Sequence, residues 1–384
     1  MILDRYAILP ILMLLAISER IFSLDIAGLR LSFGDICLLA TPFILGLNTK
    51  LKLSVYIFVA GLSLAILMHG YLLSGFISIN STISLPVKVL ISCQIYALLE
   101  GRVRFVSFGF VRFLFLALTL CLLLFAEDNR FTSIEILNDN EGVHYLLTIA
   151  IFIAFFDYYS GRHSSFSIIA IFCLLLISIT AFSRQGILLS LIIIFLMSWK
   201  SFGLFAKTTL LGMVGVTVFS ITVYLSAITS ATYAVRRLQS VFGIGTVTRA
   251  DTHRFENILF GFEGFLDSPI VGNGVRSFVY NNELHLVAHN TFVTIMYEFG
   301  LLGIVPLLFY VFRLVVPYLR LPSKNDLNLL FLCSALVAFV AQLFTIETTS
   351  RSTIFIVVPM ALFLIKNIGS SNEKCSDAVV AKRR

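Results

Sequence analysis

The strongest constraint on this chain is how seldom charge interrupts it. From Phe166 to Phe182 no residue is charged, and similar runs of Leu, Ile and Phe recur along most of the sequence. Away from water a backbone must pair its own N–H and C=O groups, and a run of this kind does so within itself, as a helix. The alternation of polar and apolar residues that a barrel strand carries is not the pattern of these runs. The whole chain is 58% hydrophobic and 13% charged, where soluble domains average about 25% charged. The expected fold class is therefore an all-α polytopic membrane protein.

Hydropathy predicts about twelve transmembrane helices, several of them shorter than the roughly 20 residues that a straight span needs. They fall at 6–18, 31–47, 54–75, 83–99, 106–126, 143–159, 166–182, 186–199, 206–228, 291–317, 327–347 and 352–367. This divides the chain into an N-terminal transmembrane bundle over 1–228, a large polar loop over 229–290, and C-terminal helices with a basic tail over 291–384. The N-terminal apolar run has no small-residue cleavage site, so it reads as a retained first helix. The six cysteines fall in apolar segments or the tail, which excludes a disulfide framework and a CxxC metal site.

Lys and Arg set the orientation. With the N-terminus in the cytoplasm, the inside loops hold Lys50, Lys52, Arg102, Arg104, Arg162, Lys200, Arg320 and Lys324, and the tail adds Lys382, Arg383 and Arg384. The loop near 127–141 is acidic and lies outside, and so does the 229–290 loop. The net charge of +7 belongs to this asymmetry and does not suggest nucleic acid. The outside loops carry arginines, among them Arg184, Arg249, Arg254 and Arg276, and no lysine. A planar guanidinium fork suits phosphate better than a point charge does. The plainer reading is interfacial arginine.

The polar loop has its own pattern. From Thr252 to Asp267 the apolar residues Phe255, Ile258, Leu259, Phe262, Phe265 and Leu266 repeat at helical spacing. Asp251 or Thr252 is the expected cap, and Ser268-Pro269 the stop. A second helix is expected near 233–242, and both are expected to lie against the outer surface of the bundle. Pro269, Gly272 and Gly274 form a turn whose backbone can approach a ligand closely. Asn290 is the N-cap of the tenth span.

Several residues have both a chemical and a structural reading. His289, at the seam between loop and helix, is a general base or an interfacial histidine beside a cap. Arg184, in Ser183-Arg184-Gln185-Gly186, is a phosphate ligand or a snorkelling turn residue. Glu298, with Gly300 and Gly303, is an intramembrane acid or part of a close helix contact, and a structural hydrogen bond is favoured. There is no Asp-x-Asp motif and no Walker loop, so arginines alone must neutralise any bound diphosphate, and ATP-driven transport is not expected.

These pieces, in this order, resemble the O-antigen ligase/polymerase superfamily. Ser183-Arg184-Gln185-Gly186 is similar to its Ser-Arg-x-Gly element. Arg254, then Pro269, Gly272, Gly274 and Phe278, then His289-Asn290, then Glu298, Gly300 and Gly303, are similar to its large extracytoplasmic loop and the helix that follows. The likeness covers about 183–305. It departs after Arg254, where the family often has Trp and this chain has Ile258 and Leu259.

The resemblance implies a GT-C-type inverting membrane glycosyltransferase of the bacterial inner membrane, with its active site facing the periplasm. The donor would be an oligosaccharide on undecaprenyl diphosphate, and no cofactor or metal would be needed. Arg184 and Arg254 would bind the diphosphate, with Arg276 and Arg249 as weaker candidates, and His289 would be catalytic. Within the family the chain is most like an O-antigen polymerase of lipopolysaccharide biosynthesis, for which a chain-length regulator is an implied partner. The alternatives are a ligase that transfers polysaccharide to lipid A-core and a non-enzymatic flippase of the same lipid.

The charge asymmetry makes a direct prediction. Topology reporters fused at Lys200 and at Gly243 report opposite sides of the membrane. The same side for both would overturn the twelve-span arrangement.

Overall fold

The computed structural model describes residues 23–26, 29–32, 53–74, 79–100, 112, 116, 142–159, 166–180, 184–201, 249–282, 288, 290–321, 327–344, 354 and 357–367. Apart from one hairpin, the turn over 268–276 and a few single residues, these residues form helices: α1 Leu53–Ser74, α2 Ile79–Glu100, α3 Gly142–Tyr159, α4 Phe166–Thr180, α5 Arg184–Ser201, α6 Arg249–Asp267, α7 Ser277–Asn281, α8 Thr291–Leu319, α9 Leu327–Leu343 and α10 Val357–Asn367. The all-α class holds at this level. Among the described residues, α8 alone is long and apolar enough to cross a membrane; shorter apolar helices are Ala60–Leu73, Leu146–Tyr159, Gly186–Lys200, Leu327–Leu343 and Val357–Asn367. The expected spans at 6–18 and 206–228, and the loop helix near 233–242, lie outside the described residues. So does 106–126, except for Arg112 and Leu116.

One local expectation is corrected. The span predicted over 31–47 does not begin at Leu31, because Leu31 and Ser32 belong to a strand. Strand β1 (Ser23–Ile26) pairs antiparallel with β2 (Leu29–Ser32). The register sets Leu24 opposite Leu31, Asp25 opposite Arg30 and Ile26 opposite Leu29. The remainder of 31–47 lies outside the described residues.

The chain divides into two compact units. The first joins Met1–Val106, Asn257–Leu321 and Ile346–Arg384; the second joins Ser107–Glu256 and Pro322–Thr345. In the second unit α9 is central, and α3, α4 and α5 all pack against it. It is buried nearly all round, from Asn328 to Leu343, as expected for a helix apolar on every side. Phe152, Phe155, Phe331 and Phe339 are fully buried, each removing apolar area worth about 1.5–3 kcal/mol. Hydroxyls in these apolar helices bond back one turn: Ser178 donates to the Leu174 carbonyl at 2.5 Å, Ser190 to Gly186 at 2.9 Å and Ser198 to Ile194 at 2.7 Å. No hydroxyl of the three therefore has to meet an apolar neighbour unpaired.

The second unit also contains a buried ion pair. The Arg112 guanidinium donates two hydrogen bonds to the Asp157 carboxylate near the end of α3, one of them from Nε to Oδ2 at 2.9 Å. The Asp157 side chain is 2% exposed and that of Arg112 24%. A lone carboxylate at this depth is costly, and the bidentate fork offsets the loss of water. The first unit holds the hairpin, α1, α2, α7, α8, α10 and α6 from Asn257 onward. There α1 packs on α2, β2 on α2, and α7 on α8. Tyr310 of α8 donates to the Ile354 carbonyl at 2.9 Å.

The ion pair predicts an asymmetric mutational result. Arg112→Ala takes the guanidinium away from a buried carboxylate, and costs about 3–5 kcal/mol. The double variant Arg112→Met with Asp157→Leu removes both charges and recovers most of that loss. Thermal unfolding in detergent checks the order of the three midpoints.

Candidate functional site

The polar segment starts with α6. Its first residue is Arg249, so Asp251 and Thr252 lie inside the helix and are not its cap. The helix also presents a different face to the protein from the one its apolar pattern suggested. Leu259, Phe262 and Leu266 are exposed, as is Phe255 one turn earlier. The inward face carries Asn257, Gly261 and Gly264, all buried, with Ile258 and Phe260 partly buried beside them. A Cβ at Gly261 would collide with Val293, and one at Gly264 with the Tyr297 ring. Missing side chains, not apolar ones, bring α6 onto α8.

Next comes the Pro-Gly turn. It does approach another backbone closely, but that backbone belongs to α8. The helix breaks at Gly300, where φ is 58° and ψ is −145°. In an unbroken helix Leu301 N–H would bond Tyr297 O, and Leu302 N–H would bond Glu298 O. Here Leu301 N–H donates to Pro269 O at 2.8 Å and Leu302 N–H to Ile270 O at 3.2 Å. The two released carbonyls accept from the same turn: Tyr297 O from Asn273 N–H at 2.9 Å, and Glu298 O from Gly274 N–H at 3.0 Å. Each helical bond lost at the break is thus replaced by a bond to the turn. The Asn273 side chain adds bonds to Gly264 O at 2.7 Å and Tyr297 O at 3.2 Å, and so ties α6, the turn and α8 together.

This exchange needs glycine on both sides. Gly272 has φ 72°, and a Cβ there would strike the Glu298 carbonyl group. A Cβ at Gly300 would lie 2.7 Å from Pro269 O and Ile270 O and 2.8 Å from Gly272 N. Glu298 is 5% exposed, and its carbonyl makes one of the bonds just described.

His69 of α1 closes the arrangement. Its Nε2–H donates to Val271 O at 2.6 Å, and its ring stacks on Phe299 with centroids 5.3 Å apart at 12°. Its Nδ1 is buried and has no hydrogen-bond partner among the described residues. Sequence reading passed over His69 because it sits inside an apolar run. An ionisable residue in such a run was itself a signal, as it was for Arg112 and Asp157.

The segment ends on α7 and the start of α8. Arg276 precedes α7 at φ 65°, the one non-glycine residue at positive φ among those described; such a conformation costs about 1–3 kcal/mol. Its side chain is half-buried. Phe278, Ala288, Val293 and Tyr297 form a core with Ile258 and Phe260. Phe260 and Phe278 contact the Tyr297 ring at 5.1 and 5.2 Å between centroids, and Asn281 Nδ2 donates to Tyr297 Oη at 3.2 Å. Asn290 caps α8 as expected, its side chain accepting from Phe292 N–H and Val293 N–H at 3.0 and 3.2 Å.

Of the predicted site residues, Gly272, Gly274, Arg276, Asn290 and Glu298 all belong to the first unit. Gly272, Gly274 and Glu298 meet at the helix break. His289 lies outside the described residues, between buried Ala288 and the cap Asn290. Arg184 is the first residue of α5, and Arg249 and Arg254 lie in the first turns of α6; their side chains are likewise outside the description. Among the described residues no group of three His, Cys, Asp or Glu comes together that would hold a metal ion. In comparison with known proteins, no family model and no curated protein matches the chain.

The break predicts which glycines matter. Gly272→Ala and Gly300→Ala each add a Cβ at positive φ against backbone, and each costs more than about 1 kcal/mol. Gly61→Ala in α1, where a Cβ meets nothing within 4 Å, is neutral or stabilising. Unfolding midpoints of the three variants, compared side by side, test the assignment.

Proposed function

We propose that the chain is a membrane glycosyltransferase that polymerises polysaccharide from undecaprenyl-diphosphate-linked repeat units, as the resemblance over 183–305 implies. The observation that carries this reading is the construction of the motif-bearing segment. From Asn257 to Gly303 its Pro-Gly turn, its glycines and the Asn290 cap are knitted by backbone hydrogen bonds into an apolar helix. A polar segment fixed so firmly to a helix apolar enough to cross a membrane suits a reaction on a lipid whose diphosphate lies at the surface and whose tail lies below it.

The reaction is a displacement at the anomeric carbon. The hydroxyl at the non-reducing end of a new repeat unit attacks that carbon. The bond to the diphosphate oxygen breaks, and undecaprenyl diphosphate leaves with the electron pair. His289 takes the hydroxyl proton, and a positioned base contributes about 10²–10⁴-fold. Arg184 and Arg254 hold the diphosphate as its charge grows, with Arg276 and Arg249 nearby in sequence to assist. Arginine forks do this work without a metal ion. The first residue of α5 is Arg184, so the unpaired N–H groups of that helix start stand beside it in the chain and favour an anion.

A ligase would use the same donor and the same residues, and differ only in its acceptor. A flippase gains a point from the broken helix, since carriers bind cargo at such breaks. Here, however, the turn consumes the freed backbone groups at Gly300 and leaves those four groups occupied.

The test is transfer of labelled sugar between lipid-linked repeats by the purified protein. Arg184→Ala and Arg254→Ala abolish polymer while the protein stays in the membrane, and Lys at either position restores only part. His289→Ala still binds donor but turns over about 10²–10⁴-fold more slowly. Wild-type activity in all three would overturn the reading. Polymer transferred to lipid A-core, and not to a new repeat, would make the chain a ligase.

A further inference from the structure

We propose that α6 lies in the membrane interface with Leu259, Phe262 and Leu266 among the lipid acyl chains, so that the segment carrying the site is anchored to the bilayer as well as to the protein. The inference rests on the membrane half of the function proposed above.

Three observations converge. First, the exposed residues Leu259, Phe262 and Leu266 follow one another at three- and four-residue steps, which aligns them along one side of the helix. The side turned to the protein is occupied separately, by Gly261 against Val293, Gly264 against Tyr297 and Asn257, which accepts from Asn282 Nδ2 at 2.8 Å. A soluble helix buries its apolar stripe; this one buries small and polar residues and leaves the stripe out.

Second, the stripe does not stop at the end of α6. Exposed Ile270 follows it, and the Ile270 carbonyl accepts from Leu302 N–H at 3.2 Å. Leu302 is exposed too, and Val305, Phe309 and Phe312 continue an exposed apolar side down α8. The backbone bond at the break therefore joins the stripe to the outer surface of the helix that is long and apolar enough to cross a membrane. Exposed apolar residues thus stand on both sides of that bond, Ile270 on the turn and Leu302 on α8.

Third, Glu263 and Asp267 are exposed and stand on one flank of the stripe, about a quarter turn round the helix at 100° per residue. An apolar side with a charged flank is the pattern of a helix lying flat at the boundary between acyl chains and water. The charge on this flank is negative, where helices held by anionic headgroups carry Lys and Arg. The seat is therefore apolar and not electrostatic.

The chain has a single tryptophan, Trp199, which makes a clean test possible. In a Trp199→Phe background, single tryptophans are placed at Leu259, Phe262, Glu263 and, as a membrane reference, Leu308 of α8. The full chain is reconstituted in phosphatidylcholine vesicles, with and without bromine on the acyl chains. Tryptophan at 259, 262 and 308 loses emission to the brominated lipid and is shielded from aqueous acrylamide. Tryptophan at 263 behaves the opposite way. Adding anionic lipid leaves the pattern unchanged. Acrylamide quenching at 259 and 262 equal to that at 263 overturns the proposal. So does shielding of 259 and 262 from both quenchers, which would mean that protein covers the stripe. If 308 also escapes the brominated lipid, the membrane reading falls with it; if 308 is quenched and the stripe is not, only the present inference fails.

Discussion

A helix cannot be cut in apolar surroundings without a replacement for the hydrogen bonds at the cut. At Gly300, α8 gives up its own bonds to Tyr297 O and Glu298 O and takes up bonds to the 269–274 turn. Each buried backbone group left unpaired would cost about 1–3 kcal/mol. The turn and the break therefore require each other. Gly272 must lack a side chain because Glu298 is there, and Gly300 because Ile270 is there. The close seating of α6 on Val293 and Tyr297 and the stacking of His69 on Phe299 both involve residues within one helical turn or two of this break. A rigid joint of this kind lets a polar segment be positioned finely on a single apolar helix.

The same joint explains where the apolar residues of α6 went. Asn273 and the Pro-Gly turn hold the end of the helix close to α8, and at that separation only small residues fit between them. The bulky residues are forced to the opposite side. That side is exposed, as are Leu302, Val305, Phe309 and Phe312 of α8, and the arrangement costs little where lipid covers both.

Much of this could be read in the sequence, because some of its signals are local. Asn290 stands directly before an apolar run, and the cap is where it was expected. The existence of α6 followed from apolar spacing, although it starts at Arg249 because Asp251 and Thr252 give way to a longer helix. Local signals failed where a distant partner decides. Periodicity finds an amphipathic helix but not which side meets protein, and here Gly261 and Gly264 decided it. A Gly-x-Gly turn suggested close approach to a ligand, while Gly272 approaches Glu298, far along the chain. The 23–32 hairpin was hidden by its shortness, though Leu24, Asp25 and Ile26 alternate as a strand should. Arg112 and Asp157 sat in runs read only for hydropathy, and nothing local pairs them. His289, central to the chemical expectation, lies outside the described residues, so the sequence remains the argument for it.

The bond from His69 to Val271 spans 202 residues, and this bears on how the chain is made. A ribosome adds roughly 5–20 residues per second, so His69 emerges about 10–40 s before its acceptor exists. Phe299, on which its ring stacks, comes later still. Throughout that interval α1 carries an imidazole that neither partner covers, within an otherwise apolar helix. The first unit joins Met1–Val106, Asn257–Leu321 and Ile346–Arg384, so it closes only after all three segments have been made.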